Sequence, residues 1–309
     1  MSNKSSANCS AHYRPSRSEA KMGLYFFLPA FIVLCVFLLW PCLQVVLFSF
    51  TKMNLLQPDQ MGRIVGFRNY LSLYQNSDFW ISGYRSLIFT VASTLISILL
   101  SYLIASFVNF EFKGKSLVYV GLFLPWVISD VVTAFVFRWN FDMNFGIINY
   151  ILVDLLHLLH EPVSWLGSPH TALPAVIFAT IWRFMPFSTL VIIAALKQVS
   201  GDLTEAAKLD GASLWKMHTH VIIPAIKAPL VVLFILRVGA LFRSFDLIWL
   251  LTKGGPGDAT NVLPILYYRT AFQGMDLGMA TTVAVHIFLF VLIIYLGIFK
   301  LFGREAFTE

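Results

Sequence analysis

Met22–Phe50 runs without a single Asp, Glu, Lys or Arg. A bilayer core needs about 20 apolar residues in helical form to cross it. A charge-free run longer than that restricts the chain to burial in lipid. Five further segments have the same character. Ser86–Phe110 and Leu277–Phe299 carry no charge, Ser116–Phe137 carries Asp130, Ala172–Leu196 carries Arg183, and Ala228–Leu251 carries Arg237, Arg243 and Asp246. Hydrophobic residues make up 58% of the 309 and charged residues 12%, about half the charge of an ordinary soluble domain. Disorder and a soluble globular enzyme are excluded on that balance. The sequence predicts an all-α membrane protein with six transmembrane helices.

The first apolar run follows a basic tail (Arg14, Arg17, Lys21), as a signal peptide does. It is too long for one and no A-x-A site follows, so it is retained as a span. With the N-terminus inside, cytoplasmic segments hold twelve of the twenty-two Lys and Arg residues. The loop with Asp142, Asp154 and Glu161 against Arg138 is net acidic and fits outside. The first loop (Lys52, Arg63, Arg68, Arg85) runs against the rule. The expected layout is a cytoplasmic tail at 1–21, a six-helix domain at 22–300 and a cytoplasmic tail at 301–309 in the inner membrane. The net charge of +6 is dispersed rather than striped, so no nucleic acid partner is expected. Asn54–Tyr84 and Arg138–Thr171 are long connections with room for short interfacial helices, and Trp80 and Trp165 suit a headgroup boundary. Cys9, Cys35 and Cys42 form no C-x-x-C, so no disulfide framework or metal site is expected.

The most informative loop, residues 200–224, lies between the fourth and fifth spans. Asp202 with Glu205 three residues later resembles a capping box. Ala206 and Ala207 add helix propensity and leave room for a close partner. Gly211 is a helix stop. Leu214, Trp215 and Met217 then suit a second short helix before Pro224. Such a helix–turn–helix across the mouth of the spans leaves a small, apolar face for another protein.

This stretch resembles the EAA loop, E-A-A-x3-G-x9-I-x-L-P, of permease subunits of binding-protein-dependent ABC importers. Glu205, Ala206, Ala207, Gly211 and Pro224 match, with Val221 and Ile223 standing for Ile and Leu. Shorter segments, in order along the chain, resemble the carbohydrate-uptake group, the sugar permeases. They are Leu28-Pro29-Ala30, Trp40-Pro41, Ser49-Phe50-Thr51, Gly66-Phe67-Arg68-Asn69-Tyr70, Asp78-Phe79-Trp80, Leu251 through Pro256 and Asp276-Leu277-Gly278-Met279-Ala280. The resemblance implies a type I ABC importer (MetI-like) permease fold. It implies a heterodimer with a second permease, two copies of an ABC ATPase and an extracytoplasmic solute-binding protein or lipoprotein. This chain itself binds no cofactor, and ATP and Mg belong to the ATPases. It assigns Glu205, Ala206, Ala207, Gly211, Trp215 and Pro224 to ATPase coupling.

Ionisable groups inside spans are costly and mark pathways or partners. Arg243 and Asp246, three apart, suit an intrahelical pair or an aqueous vestibule, with Phe242, Phe245 and Trp249 as stacking faces for a sugar. Arg183 sits where Pro186 interrupts the fourth span, and Asp130 suits a structural ion pair with Arg183 or Arg237 ahead of solute contact. Lys253-Gly254-Gly255-Pro256 reads as a tight external turn or a binding-protein contact. His218 and His220 lie on opposing sides of a short helix, near headgroups or a partner. No phosphate loop, H-E-x-x-H or G-x-S-x-G occurs, so no catalytic residue is expected. A glycerol-phosphate or other polyol permease remains an alternative, which would give Arg183, Arg237 and Arg243 an anion to meet. A stand-alone secondary transporter or channel leaves the 200–224 loop unexplained.

Overall fold

The computed structural model describes residues 17–110 and 112–306. Most of the expected N-terminal tail, with Cys9, and residues 307–309 lie outside them. The chain is built from helices, with two two-residue strands at one end. The first span joins α1 (Arg17–Leu34) to α2 (Trp40–Ser49) through a π turn at Cys35–Leu39, where Pro41 removes a backbone donor. Strands β1 (Thr51–Lys52) and β2 (Arg63–Ile64) pair antiparallel. They lead into α3 (Arg68–Gln75) and α4 (Ser77–Val108), so the second span starts nine residues before the apolar run. Asn76 caps it, its side-chain oxygen accepting the Asp78 N–H at 2.8 Å.

The third span is broken. α5 (Lys115–Val127) and α6 (Asp130–Asn140) meet at 103°. Ser129 caps α6, and Asp130 lies in its first turn, where a carboxylate favours the positive helix end. The following loop holds α7 (Ile147–Asn149) and a π turn at Tyr150–Leu155. The N–H groups of Phe145 and then Asn144 hold the Asp142 carboxyl below the usual carboxylate range. Trp165 packs into the same loop. It is half-buried, and its Nε1–H donates to Asn149 Oδ1 at 2.8 Å.

The fourth span, α8 (Pro169–Leu196), passes through Pro186 as one helix instead of being interrupted. Carbonyls in the turns before the proline receive donors from neighbours: Ser101 Oγ donates to Met185 O at 3.0 Å and Arg237 Nη2 to Phe184 O. Then come α9 (Gly201–Leu209), α10 (Leu214–Met217), a π turn at His218–Ile222 and α11 (Ile223–Ala225), which bends 72° into α12 (Lys227–Phe242). The fifth span differs from the continuous helix expected over 228–251. α12 stops at Phe242, and α13 (Asp246–Thr252) begins after a three-residue break. The break explains how two of the three charges fit one apolar run. Arg243 sits at a helix C-terminus with Nε donating to Gly239 O at 2.9 Å, and Asp246 starts the next helix. α14 (Leu263–Tyr268) and α15 (Leu277–Ala306) complete the chain. Among the described residues four helices are long and apolar enough to cross a membrane, or six if each bent pair counts as one span.

The most extensive packing joins α4 to α8. Ser82, Ser86, Thr90, Ser93, Ser97 and Ser101 recur every three or four residues of α4, all buried. Lipid supplies no hydrophobic drive between helices, so small residues that allow close approach hold them together. Ser86 has a second task. Its Oγ accepts the Leu263 N–H at 2.8 Å and so caps the start of α14.

The family-like segments far apart in sequence meet at the β1–β2 end. Asn69 Nδ2 donates to Ser49 O and Thr51 O, both at 2.9 Å. Tyr70 Oη lies 2.7 Å from Ser49 Oγ, and the Leu277 N–H donates to Met53 O at 2.8 Å. Gly278 packs so closely on Thr51 and Met53 that a Cβ there collides with backbone. One junction therefore ties the first span, the first loop and the last span.

Candidate functional site

The 200–224 loop is the first candidate. Its helix start differs from the expected capping box. Ser200 is the cap, its Oγ accepting the Asp202 N–H at 3.3 Å, and Asp202 is already helical. The stop is as read. Gly211 has φ +72, its N–H donates to Lys208 O at 3.0 Å, and the Ala212 N–H donates to Ala207 O at 2.9 Å. That pair of bonds closes the last turn around a left-handed residue, which glycine adopts without penalty. Ser213 caps the second helix. This helix continues past the expected end at Pro224, since the π turn at His218–Ile222 widens the backbone ahead of the proline ring.

Burial divides the loop. Ala207, Met217 and Ile222 face inward, the last two packing on Ala105, Val108 and Leu196. Glu205, Ala206, Gly211, Leu209 (89% exposed) and Trp215 (75% exposed) face away. The loop thus presents an acidic, small and apolar surface with no intrachain partner among the described residues for its Trp215 ring. His218 has an intrachain partner after all. Its Nδ1 lies 2.6 Å from Tyr102 Oη on α4, while His220 is exposed.

The second candidate is the set of polar groups at the broken spans. Arg183 Nε lies 3.1 Å from Asp130 Oδ1, and Nη1 donates to Trp126 O at 2.8 Å. The Trp126 carbonyl lies at the end of α5, where the break removes its helical donor. One guanidinium therefore meets both sides of the bend. Arg237, only 4% exposed, is held elsewhere. Its Nε and Nη2 each donate to Ser188 Oγ at 3.0 Å, and Nη2 also to Phe184 O. The two guanidinium carbons flank the Phe184 ring, at 5.1 Å for Arg183 and 4.9 Å for Arg237. Phe184 and Ser188 carried no signal in the sequence; only the charge of Arg237 in an apolar run pointed here.

The fifth-span residues separate. Arg243 and Asp246 are exposed and form no pair among the described residues, because they stand on opposite sides of a helix break and not one turn apart. Phe242 is no stacking face for solute. It is 3% exposed and packs with Leu73, Phe79, Leu263 and Val283. Phe245 and Trp249, half-buried, stack at 5.7 Å, and the row continues through Tyr268 (4.7 Å from Trp249) to Phe272 (4.9 Å from Tyr268). Tyr268 and Phe272 were missed from the sequence, because α14 and the π turn after it (Arg269–Gln273) reach this row only through the fold.

The Lys253–Pro256 turn lies at the opposite end of α13 from that break. Lys253 is exposed with φ +52, and its carbonyl accepts Arg269 Nη2 at 2.8 Å. Arg269 also pairs with Asp258. Gly254 is buried at φ +89 against Ile265 and Arg269, and Thr260 Oγ1 donates to Gly255 O at 2.9 Å. Gly255 and Pro256 are half-buried beside it. The turn is therefore fixed in shape, with Lys253 its most outward residue.

Comparison with known proteins places these features in a family. Residues 97–306 match the model described as the binding-protein-dependent transport system inner membrane component. The trehalose/maltose transport system permease protein MalF of Thermococcus litoralis is 32% identical over 283 residues, covering 91% of this chain and 94% of that protein. The inner membrane ABC transporter permease protein YcjO of Escherichia coli is 29% identical over 91% of this chain and 94% of its own. The sulfoquinovosyl glycerol transport system permease protein SmoG of Agrobacterium fabrum is 27% identical over 84% of this chain and 83% of its own. In fold the chain is similar to one from a bacterial alginate ABC transporter solved with an alginate pentasaccharide-bound periplasmic protein. The TM-score is 0.80 at 24% identity, over 94% of this chain and 97% of that one. The chain belongs to the binding-protein-dependent transport system inner membrane components, the non-catalytic, membrane-spanning permease subunits of ABC importers.

Proposed function

We propose that the chain is the permease of a sugar or oligosaccharide importer and lines half of the route across the inner membrane. The observation that carries the coupling part is the 200–224 loop: two short helices joined by a glycine-closed turn, anchored by Met217 and Ile222, with Glu205, Leu209 and Trp215 turned away from the chain. A motor subunit that grips this surface switches the bundle between two states, and ATP and Mg stay with that subunit. The sugar assignment is supported by the names of the relatives and by the row Phe245, Trp249, Tyr268 and Phe272, whose ring faces suit the C–H faces of pyranoses. Asp130 and Arg183 hold the bend of the third span, and Arg243 and Asp246 flank the row at the helix break. Lys253, Gly254, Gly255 and Pro256 offer a rigid contact for a solute-binding protein at the far end. In this reading both termini and the loop lie in the cytoplasm.

The test is reconstitution in liposomes with the second permease, two ATPase copies and the solute-binding protein. Labelled trehalose, maltose and an oligosaccharide series are supplied as probes. ATP-dependent accumulation that needs all four components supports the reading. Equal transport without the ATPase overturns it. Two exposed or near-surface arginines, Arg243 and Arg183, favour a second reading in which the glycoside or polyol is anionic. Glycerol phosphate and a sulfonated glycoside in the same assay decide between the two.

A further inference from the structure

Resting on the coupling role proposed for the 200–224 loop, we infer that Tyr102 and His218 act as positioning residues that lock the loop's second helix to the second span, so that α4 and that helix move as one body while α9 moves against them.

The loop is attached unevenly. Its second half is welded on. His218 opens the π turn, with Nδ1 2.6 Å from Tyr102 Oη and the two rings edge-on at 5.8 Å. Met217 and Ile222 on either side are buried against α4 and α8. The first half is held more lightly: Ala207 is its one buried residue, and among the described residues no α9 side chain bonds to α4 or α8. A cavity of about 190 Å³ lies between Thr204 and Lys208 of α9, Met217, His218 and Ile222 of the second half, and Ser106, Asn109 and Phe110 at the end of α4. α9 therefore stands across open space from α4, while Met217 and Ile222 bring the second half into contact with Ala105 and Val108.

Beyond Tyr102 the connection continues in polar contacts. Ser101 Oγ donates to Met185 O on α8 at 3.0 Å. In the turns on either side, Phe184 O and Ser188 Oγ receive Arg237 of α12. α4 is also the helix most extensively packed on α8. A push on the second helix thus reaches two further spans through rigid elements. Physical proximity alone does not establish coupling, so the decisive point is whether the Tyr102–His218 contact keeps its geometry while the transporter changes state.

The experiment uses the assembled complex with the native cysteines replaced by alanine. Spin labels are placed at Leu214→Cys on the loop and Leu99→Cys on α4, both exposed and the second one turn from Tyr102. Distances are read by pulsed electron resonance without nucleotide and after trapping with ATP and vanadate. One narrow distance, the same in both states, is expected. Tyr102→Phe removes only the hydroxyl and should widen the trapped-state distribution roughly twofold. His218→Asn keeps a polar group near the Nδ1 position and should retain the narrow distance, whereas His218→Leu, which fills similar space without a bonding group, should widen it as Tyr102→Phe does. An unchanged narrow distance in Tyr102→Phe overturns the inference, as does a native distance that shifts between states. Immobilisation of the Leu214 label on adding the ATPase is recorded separately. If it fails to occur, the coupling reading falls and the inference with it. If it occurs and Tyr102→Phe behaves as native, only the inference falls.

Discussion

Arg183 bridges the kink of the third span, its Nε 3.1 Å from Asp130 Oδ1 on one side and its Nη1 2.8 Å from the Trp126 carbonyl on the other. The kink leaves α5 without a donor for its last carbonyls and gives α6 a free positive end. Asp130 answers the second, and Arg183 answers the first while pairing with Asp130. Arg183→Met removes the donor for Trp126 and leaves Asp130 unpaired. The Asp130 side chain is a third exposed, so water screens part of the loss. The expected cost is on the order of 2 kcal/mol. Thermal unfolding in detergent measures it, with Asp130→Leu and the double variant closing a mutant cycle. Strict additivity would show that the two groups do not interact.

Gly211 separates backbone need from docking need. Nothing lies within 4 Å of a Cβ built there, yet φ is +72. Space is free and only the left-handed backbone restricts the side chain. Asn adopts that conformation readily, so Gly211→Asn should cost well under about 1 kcal/mol and retain uptake. Gly211→Asp adds a charge to the exposed surface at similar backbone cost. It should abolish ATP-driven uptake while membrane insertion stays normal, and Glu205→Lys should do the same. Uptake near the native rate in both charged variants would remove the loop from the coupling mechanism.

Hydropathy made the spans legible but not their breaks. A bend between Val127 and Asp130, or between Phe242 and Asp246, leaves the run just as apolar. The surviving signal is the position of the charges. Asp130, Arg243 and Asp246 all sit at helix ends, where the backbone dipole favours their signs. Reading 228–251 as one helix therefore produced a false Arg243–Asp246 pair. Phe242 was misjudged for another reason. Its burial depends on Leu73, Phe79 and Val283 arriving from three other helices, which local spacing does not encode. The 200–224 loop was legible because its turn chemistry is local, and Ser200 displaced Asp202 as cap by a shift of two residues. The serine and threonine face of α4 went unread, since small polar residues barely dent the mean hydropathy of a span.

Tyr295 on α15 places its hydroxyl where a Cβ on Gly239 of α12 would stand. Gly239→Ala therefore forces the ring aside in a packed helix pair. Overpacking of this kind costs about 1–3 kcal/mol. Tyr295→Leu should recover most of that loss in the double variant, because it empties the site the methyl needs. Thermal unfolding of the four proteins tests the pairing. A Gly239→Ala protein as stable as the native one would mean that the ring moves without cost.

The last prediction concerns the junction of the first loop with the two outer spans. Asn69 donates both amide hydrogens, to Ser49 O and Thr51 O, where the first helix ends and β1 begins. Thr282 Oγ1 of α15 also donates to Ser49 O, at 3.3 Å. Asn69→Ala leaves Thr51 O without its side-chain donor and removes this tie from α3 to the strand. Asn69→Asp is more severe, since a carboxylate has no hydrogens to give and faces two carbonyls. The expected losses are about 1–3 kcal/mol for Ala and more for Asp. Limited proteolysis of the 54–66 segment in membranes reports the local effect, and cleavage should speed up in the order native, Ala, Asp. Equal cleavage in all three would show that the strand pair and the Leu277–Met53 bond hold the junction without Asn69.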